Sequence, residues 1–194
     1  MNPRTFQPAH AHRLEDPQRL LWMPPQEVIG RLDLRPGMAI ADIGAGTGFF
    51  ALPFARMVGE VGMVWAVDLQ PAMLKMLEEK LRQEGHPGNV GLRQGDAANT
   101  GLTDRSCDRA FLGNLWHELD DPRAVLSEVR RVLRPGGRIG ILDWRSGAPY
   151  PPGPPPEDRV PSSETEALLK AEGWHNLACS ELGPHSYLLV ASAE

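Results

Sequence analysis

Apolar and polar residues along this chain fall into short blocks whose rhythm changes from one block to the next. Apolar residues at roughly helical spacing predict a helix from Pro25 to Leu32, ended by "RPG" because proline cannot continue a helix. "MAIADI" is a short apolar run of strand type. From Thr47 to Val58 the apolar residues are dense enough for a helix lying against a sheet, with Pro53 expected to bend it. "GMVWAVDL" reads as a second strand of buried type. "PAMLKMLEEKLRQEG" reads as a helix opened by proline and closed by glycine. "NVGLRQGDA" and "SCDRAFLGN" are strands three and four. "DPRAVLSEVRRVLRPGG" is a helix with Asp121 at its start, and "GRIGILDW" is strand five.

Strands alternating with helices through residue 145 predict an α/β fold with a parallel sheet covered on both faces. The rhythm then changes. "SSETEALLKAEGW" reads as a helix with a Ser163-to-Glu166 capping box, and two strands joined by "GPH" follow as a closing hairpin. Between residue 145 and this tail lies "APYPPGPPPEDRVP", with seven prolines. It reads as a stiff connection in polyproline geometry, or as a wall or lid of a ligand cleft at a strand end.

Composition narrows the classes. The 194 residues fit one domain, divided into an N-terminal region (1–36), a core (37–145) and a C-terminal region (146–194). A formal net charge of -5 gives no general attraction to nucleic acid or to an anionic membrane surface. No 18-residue uncharged apolar stretch occurs, so membrane insertion is not expected, and the first residues lack the apolar run of a signal peptide. Cys107 and Cys179 are too few and too far apart for a disulfide scaffold, which fits a reduced cytoplasmic setting. His10 and His12 have no evident third ligand nearby, so no metal is expected. The arginines at 130, 131 and 134 read as helix-end charges rather than an RNA-binding patch.

The candidate chemistry sits in "ADIGAGTGFF", where Gly44, Gly46 and Gly48 alternate and Asp42 precedes them by two places. Glycine serves where a backbone turns sharply or a ligand comes close, and the turn from strand one into a helix is where open α/β sheets bind ligands. Read from Gly46, "GTGFFA" fits a dinucleotide pattern with Asp68 about 20 residues on. Read from Asp42, the same stretch is D-x-G-x-G-x-G. Asp42 discriminates between the two, since a carboxylate repels a pyrophosphate and attracts a ligand carrying an ammonium and a sulfonium.

"ADIGAGTG" and "VDLQPAML" at the ends of strands one and two resemble class I S-adenosylmethionine-dependent methyltransferases. So do "GDA" after strand three, "LGNLWHELDDPRAVL" around strand four and "LRPGGRIGILDW" leading into strand five, in the family's order across residues 38–145. The resemblance is closest to the small quinone-biosynthesis-like branch. It implies a Rossmann-like sheet of seven mostly parallel strands with an antiparallel C-terminal hairpin, and S-adenosylmethionine as the methyl donor. It also implies that Asp42 and the glycine backbone face the donor's methionine part, and that Asp68 accepts from both ribose hydroxyls. Leu69 and Met73 would pack on the adenine. Asp96 would hold the adenine's exocyclic amine with Ala97 alongside, and Asn114 would lie near the transferred methyl.

Each of these residues has a plainer reading. The plainer reading of Asp68 and Asp96 is a cap of the helix that follows, and that of Met73 is core. His117 in "NLWHEL" is the candidate general base, because a histidine near neutrality takes a proton from a hydroxyl or enol; otherwise it lines the cleft without catalytic duty. Phe6, Trp22 and Tyr150 are candidate walls of a pocket for a small-molecule methyl acceptor. Two other functions stay open on the sequence: a donor-binding regulatory protein without turnover, and a dinucleotide-dependent oxidoreductase.

Overall fold

In the computed structural model the chain is described for residues 8–85 and 88–193, so the candidate wall residue Phe6 lies outside the described residues. A 3-10 helix over Pro8–Glu15 and a single turn, α1 (Arg19–Trp22), lead into α2 (Pro25–Leu32). Two βα units and a further strand follow: β1 (Ala39–Ile43) with α3 (Ala51–Val58), β2 (Met63–Asp68) with α4 (Pro71–Gln83), then β3 (Val90–Gln94). β4 (Cys107–Gly113), α5 (Pro122–Val132) and β5 (Leu133–Trp144) complete the parallel part. α6 (Ser162–Ala171) precedes the hairpin of β6 (His175–Leu182) and β7 (Ser186–Ser192).

The seven strands lie in the order β3-β2-β1-β4-β5-β7-β6. β1 through β5 pair in parallel, and β7 runs antiparallel to both β5 and β6. All five residues of β1 are buried, as a strand covered on two faces must be. Alternation assigns them: Ile40 belongs to the apolar cluster formed with α2, α3 and α4, while Ala41 and Ile43 belong to the cluster formed with α5 and α6. The fold therefore matches the expected architecture. Because the chain leaves β1 toward β2 and β3 and then returns to place β4 on the other side of β1, a crevice opens at the carboxyl ends of β1 and β4.

Four boundaries differ from the sequence reading. Residues 47–50 form turns, and α3 begins only at Ala51. Pro53 therefore sits in the first turn, where its missing N–H has no helical partner to lose. α5 stops at Val132, five residues early, because the residue before Pro135 favours extended backbone; "LRPGG" becomes the entry to β5. The Ser163 capping box does not form, since Pro161 stands at the N-cap of α6 and Ser163 lies within the first turn.

Candidate active site

The glycine turn is built against β2. The Gly44 and Ala45 N–H groups donate to the Val67 carbonyl at 2.8 and 3.0 Å, and the Gly46 N–H donates to Asp68 Oδ2 at 2.8 Å. Gly44 (φ +74°) and Gly48 (φ +87°) occupy the left-handed region, and a Cβ on Gly48 would stand 2.2 Å from Leu77 Cδ1 of α4. Only glycine lets the turn close onto α4. Above it, Glu15 of the N-terminal 3-10 helix accepts from Thr47 Oγ1 at 2.7 Å and pairs with Lys80 of α4.

A cavity of about 1330 Å³ opens over this turn at the ends of β1, β2 and β4. It takes in every residue singled out from the sequence as a donor contact except Gly48, which packs beneath the turn. Asp42 is fully enclosed, its Oδ2 has no hydrogen-bond partner, and burial together with the neighbouring Asp68 charge pushes its pKa up to about 8. Asp68 is also buried, which raises its pKa, while the Gln70 and Gly46 N–H groups pull it back. Each of its oxygens takes one of these backbone donors, and a carboxylate has about four acceptor sites, so acceptor capacity remains.

Met73 is buried and Leu69 is 54% exposed, giving one packed and one open apolar side chain at this wall. Asp96 is exposed and caps its own turn through the Ala98 N–H at 2.8 Å, with Ala97 beside it. Asn114 follows β4 in a left-handed conformation (φ +55°). Its Nδ2 lies 2.9 Å from Met23 Sδ, which leaves the buried Oδ1 without a partner. Two buried acceptors lacking donors, on Asp42 and Asn114, suit a ligand that brings N–H groups and positive charge to this spot. They do not suit a pyrophosphate.

At the other end of the cavity, His117 lies in the 3-10 turn after β4, 7% exposed. Its Nδ1 is 2.8 and 3.1 Å from the two carboxylate oxygens of Asp143, and its backbone N–H donates to Asp143 Oδ2 at 3.0 Å. Asp143, on the neighbouring strand β5, has no solvent exposure and also accepts from the Trp144 N–H. Burial works against the imidazolium, but the Asp143 carboxylate together with Glu118 and Asp158 outweighs it, and the His117 pKa lies above its ordinary 6.5. Asp143 escaped the sequence reading, where "GRIGILDW" registered only as a strand. The available signal was an acid at the carboxyl end of the strand adjacent to the one that leads into His117.

This end of the cavity is walled by Trp22, Phe49, Trp144 and Tyr150, with Pro151 to Pro154 closing one side. The proline-rich stretch therefore forms cavity wall as well as connection. Arg159 fixes it: this buried guanidinium donates to the carbonyls of Arg145, Ala148, Pro149, Pro152 and Pro154 at 2.8–3.4 Å. The helix-end arginines are engaged within the fold, Arg131 with Glu128 and Asp104, Arg134 with Asp108, and Arg130 over the Trp174 ring.

Comparisons with known proteins agree with this geometry. Residues 41–141 match the family described as a methyltransferase domain. A solved S-adenosylmethionine-dependent methyltransferase from Aquifex aeolicus is 31% identical, superposes with a TM-score of 0.91, and aligns over 97% of this chain and 99% of its own. The ubiquinone/menaquinone biosynthesis C-methyltransferase of Serratia proteamaculans is 38% identical over 111 residues, 57% of this chain and 44% of that protein. The demethylmenaquinone methyltransferase of Desulfitobacterium hafniense is 35% identical over 118 residues, 61% of this chain and 47% of that one. The chain thus spans about half the length of the curated relatives it matches.

Proposed function

This chain belongs to the S-adenosylmethionine-dependent methyltransferase family, and we propose that it moves the donor's methyl group to a small planar acceptor held in the same cavity. The observation that carries the reading is the pair of partnerless buried acceptors, Asp42 Oδ2 and Asn114 Oδ1, beside a turn of positive-φ glycines. In this reading Asp42, Asn114 and the backbone of Gly44 and Gly46 hold the methionine end, and Gly48 lets the turn pack. Asp68 takes the ribose hydroxyls with its remaining acceptor sites. Leu69 and Met73 cover the adenine, with Asp96 and Ala97 at its edge.

Bound S-adenosylmethionine supplies a methyl group already activated by the positive charge on sulfur. The chain's task is then to hold an acceptor atom about 3–3.5 Å away and in line, and to keep water out. The aromatic and proline wall serves both ends, and its flat apolar faces favour a ring-shaped acceptor. His117 is placed to remove a proton from such an acceptor. No helix among the described residues is long and apolar enough to cross a membrane. A cytoplasmic setting belongs to the same reading and is supported by two free cysteines.

Incubation with methyl-labelled S-adenosylmethionine and a panel of phenols, hydroquinones, amines and thiols tests the proposal. Label should move to a ring-bearing member of the panel. Donor binding without transfer to any of the four classes would favour a regulatory protein instead.

A further inference from the structure

We propose that the N-terminal 3-10 helix (Pro8–Glu15) is a strap over the bound donor, latched by Glu15 to the glycine turn and to α4 at once, and that release of this latch sets the rate of donor exchange. The inference rests on the methyl-transfer reading for the identity of the donor and adds how the same site opens and shuts. Three features of the geometry carry it. Glu15 accepts from Thr47 Oγ1 at 2.7 Å and pairs with Lys80, so one carboxylate spans the turn after β1 and the last turn of α4. One residue earlier, Leu14 Cδ1 stands 3.5 Å from the position that a Cβ on Gly46 would take, so this side chain lies on the glycine turn itself. His10, His12, Arg13, Leu14, Glu15 and Asp16 all line the cavity. The strap thus roofs the end of the cavity proposed to take the methionine part of the donor.

The rest of the strap is held weakly. Its eight residues of 3-10 helix exceed the three or four that this geometry usually sustains, because its hydrogen bonds are poorly aligned. Across residues 9–15 Ala11 is buried and Leu14 half-buried, while the other side chains are exposed. A segment with so little buried apolar surface opens at lower cost than the body of the fold. The residues that follow are fixed. Met23 is fully buried, the Trp22 ring meets His185 edge-on with centroids 5.6 Å apart, and the Trp22 carbonyl packs against Gly183, where a Cβ would collide. Between strap and anchor lies the turn at residues 16–18, bridged by a hydrogen bond from Arg19 Nη1 to the Leu14 carbonyl at 2.6 Å. Swinging the strap about this turn breaks that bond, the Leu14 contact and the Glu15 latch. Burial works to raise the Glu15 pKa, but Lys80, the Thr47 hydroxyl and Arg19 hold it below its ordinary 4.5, so the latch is charged at neutral pH. A closed strap and a bound donor then favour each other by the same factor, as linkage requires.

The test joins two readouts on the full-length protein. Without donor, tryptic cleavage after Arg13, which is exposed on the strap, should run about 3–10-fold faster in Glu15→Ala than in wild type, the scale of one lost hydrogen bond and one exposed ion pair. In stopped-flow displacement, S-adenosylmethionine should leave Glu15→Ala faster by a similar factor and Lys80→Met by a smaller one. Saturating donor should slow cleavage after Arg13 in wild type more than in either variant. Exchanging the charges, Glu15→Lys together with Lys80→Glu, should bring back slow cleavage and slow release, whereas Glu15→Lys alone should not. Unchanged release from Glu15→Ala, cleavage after Arg13 indifferent to donor, or a charge exchange no better than Glu15→Lys alone would overturn the inference. Wild-type protein that binds no S-adenosylmethionine, while its cleavage still answers to Glu15, would strike the methyl-transfer reading and not the strap. Should Glu15→Ala fail to fold, Lys80→Met, which leaves Thr47 and the glycine turn untouched, decides on the same two readouts.

Discussion

Asp42 is a carboxyl that the fold encloses without a partner for Oδ2, and its pKa of about 8 states the cost of ionising it there. The sign of the consequence follows from proton counting. Between the unfolded value near 3.8 and the folded value near 8, the folded chain keeps a proton that the unfolded chain releases, so stability falls as pH rises through that window. Asp42→Asn removes this dependence. Its advantage over wild type in urea unfolding should grow by about 1–4 kcal/mol between pH 4 and pH 8, and a difference constant with pH would contradict the account. His117 has a raised pKa of the opposite charge type. Its pairing with Asp143 stabilises fully below pH 6.5 and is lost as pH rises through the folded value. Asp68 makes a different prediction. Asp68→Ala should weaken S-adenosylmethionine binding by about 1.5–3 kcal/mol, roughly ten- to hundredfold in Kd. Unchanged affinity in a folded variant would remove Asp68 from the ribose site.

Among the elements, the turn between β1 and α3 and the wall after β5 divide the labour. Gly48→Ala places a Cβ against Leu77 at a positive φ and should destabilise the fold by about 1–3 kcal/mol, measured by thermal or urea unfolding. Arg159→Met removes the donor that holds five carbonyls of the wall. It should speed proteolysis within residues 145–154 and raise KM for the acceptor, while S-adenosylmethionine affinity stays the same. A parallel loss of donor affinity would show that the wall is not confined to the acceptor end. The elements also mark where the sequence is legible. Strands β1, β2, β4 and β5 follow from apolar runs because each is covered by neighbours, whereas β3 lies at the sheet edge with no buried residue. The start of α3 does not, since the apolar residues 49–50 continue the pattern of the helix while their backbone still belongs to the glycine turn. Ser163 fits a capping pattern that Pro161 pre-empts by taking the N-cap two residues earlier.

For the whole molecule, the strand order puts the ends of β1, β2 and β4 around one crevice and brings β5 beside β4. The residues proposed to hold the donor could be singled out from sequence because each lies within a few positions of a strand end. The His117–Asp143 pair could not, because 26 residues and a helix separate its members and only sheet pairing unites them. Arg159 is hidden for the same reason, its partners being carbonyls that no side-chain pattern records. The central claim is that this crevice holds a cationic methyl donor, with Asp42 at its methionine end. Calorimetric titration of the purified protein with S-adenosylmethionine, its demethylated product and a nicotinamide dinucleotide tests that claim most directly. The account predicts micromolar binding of the first two and none of the third. Binding of the dinucleotide alone would contradict it, because a pyrophosphate would then be lying beside the buried carboxyl of Asp42.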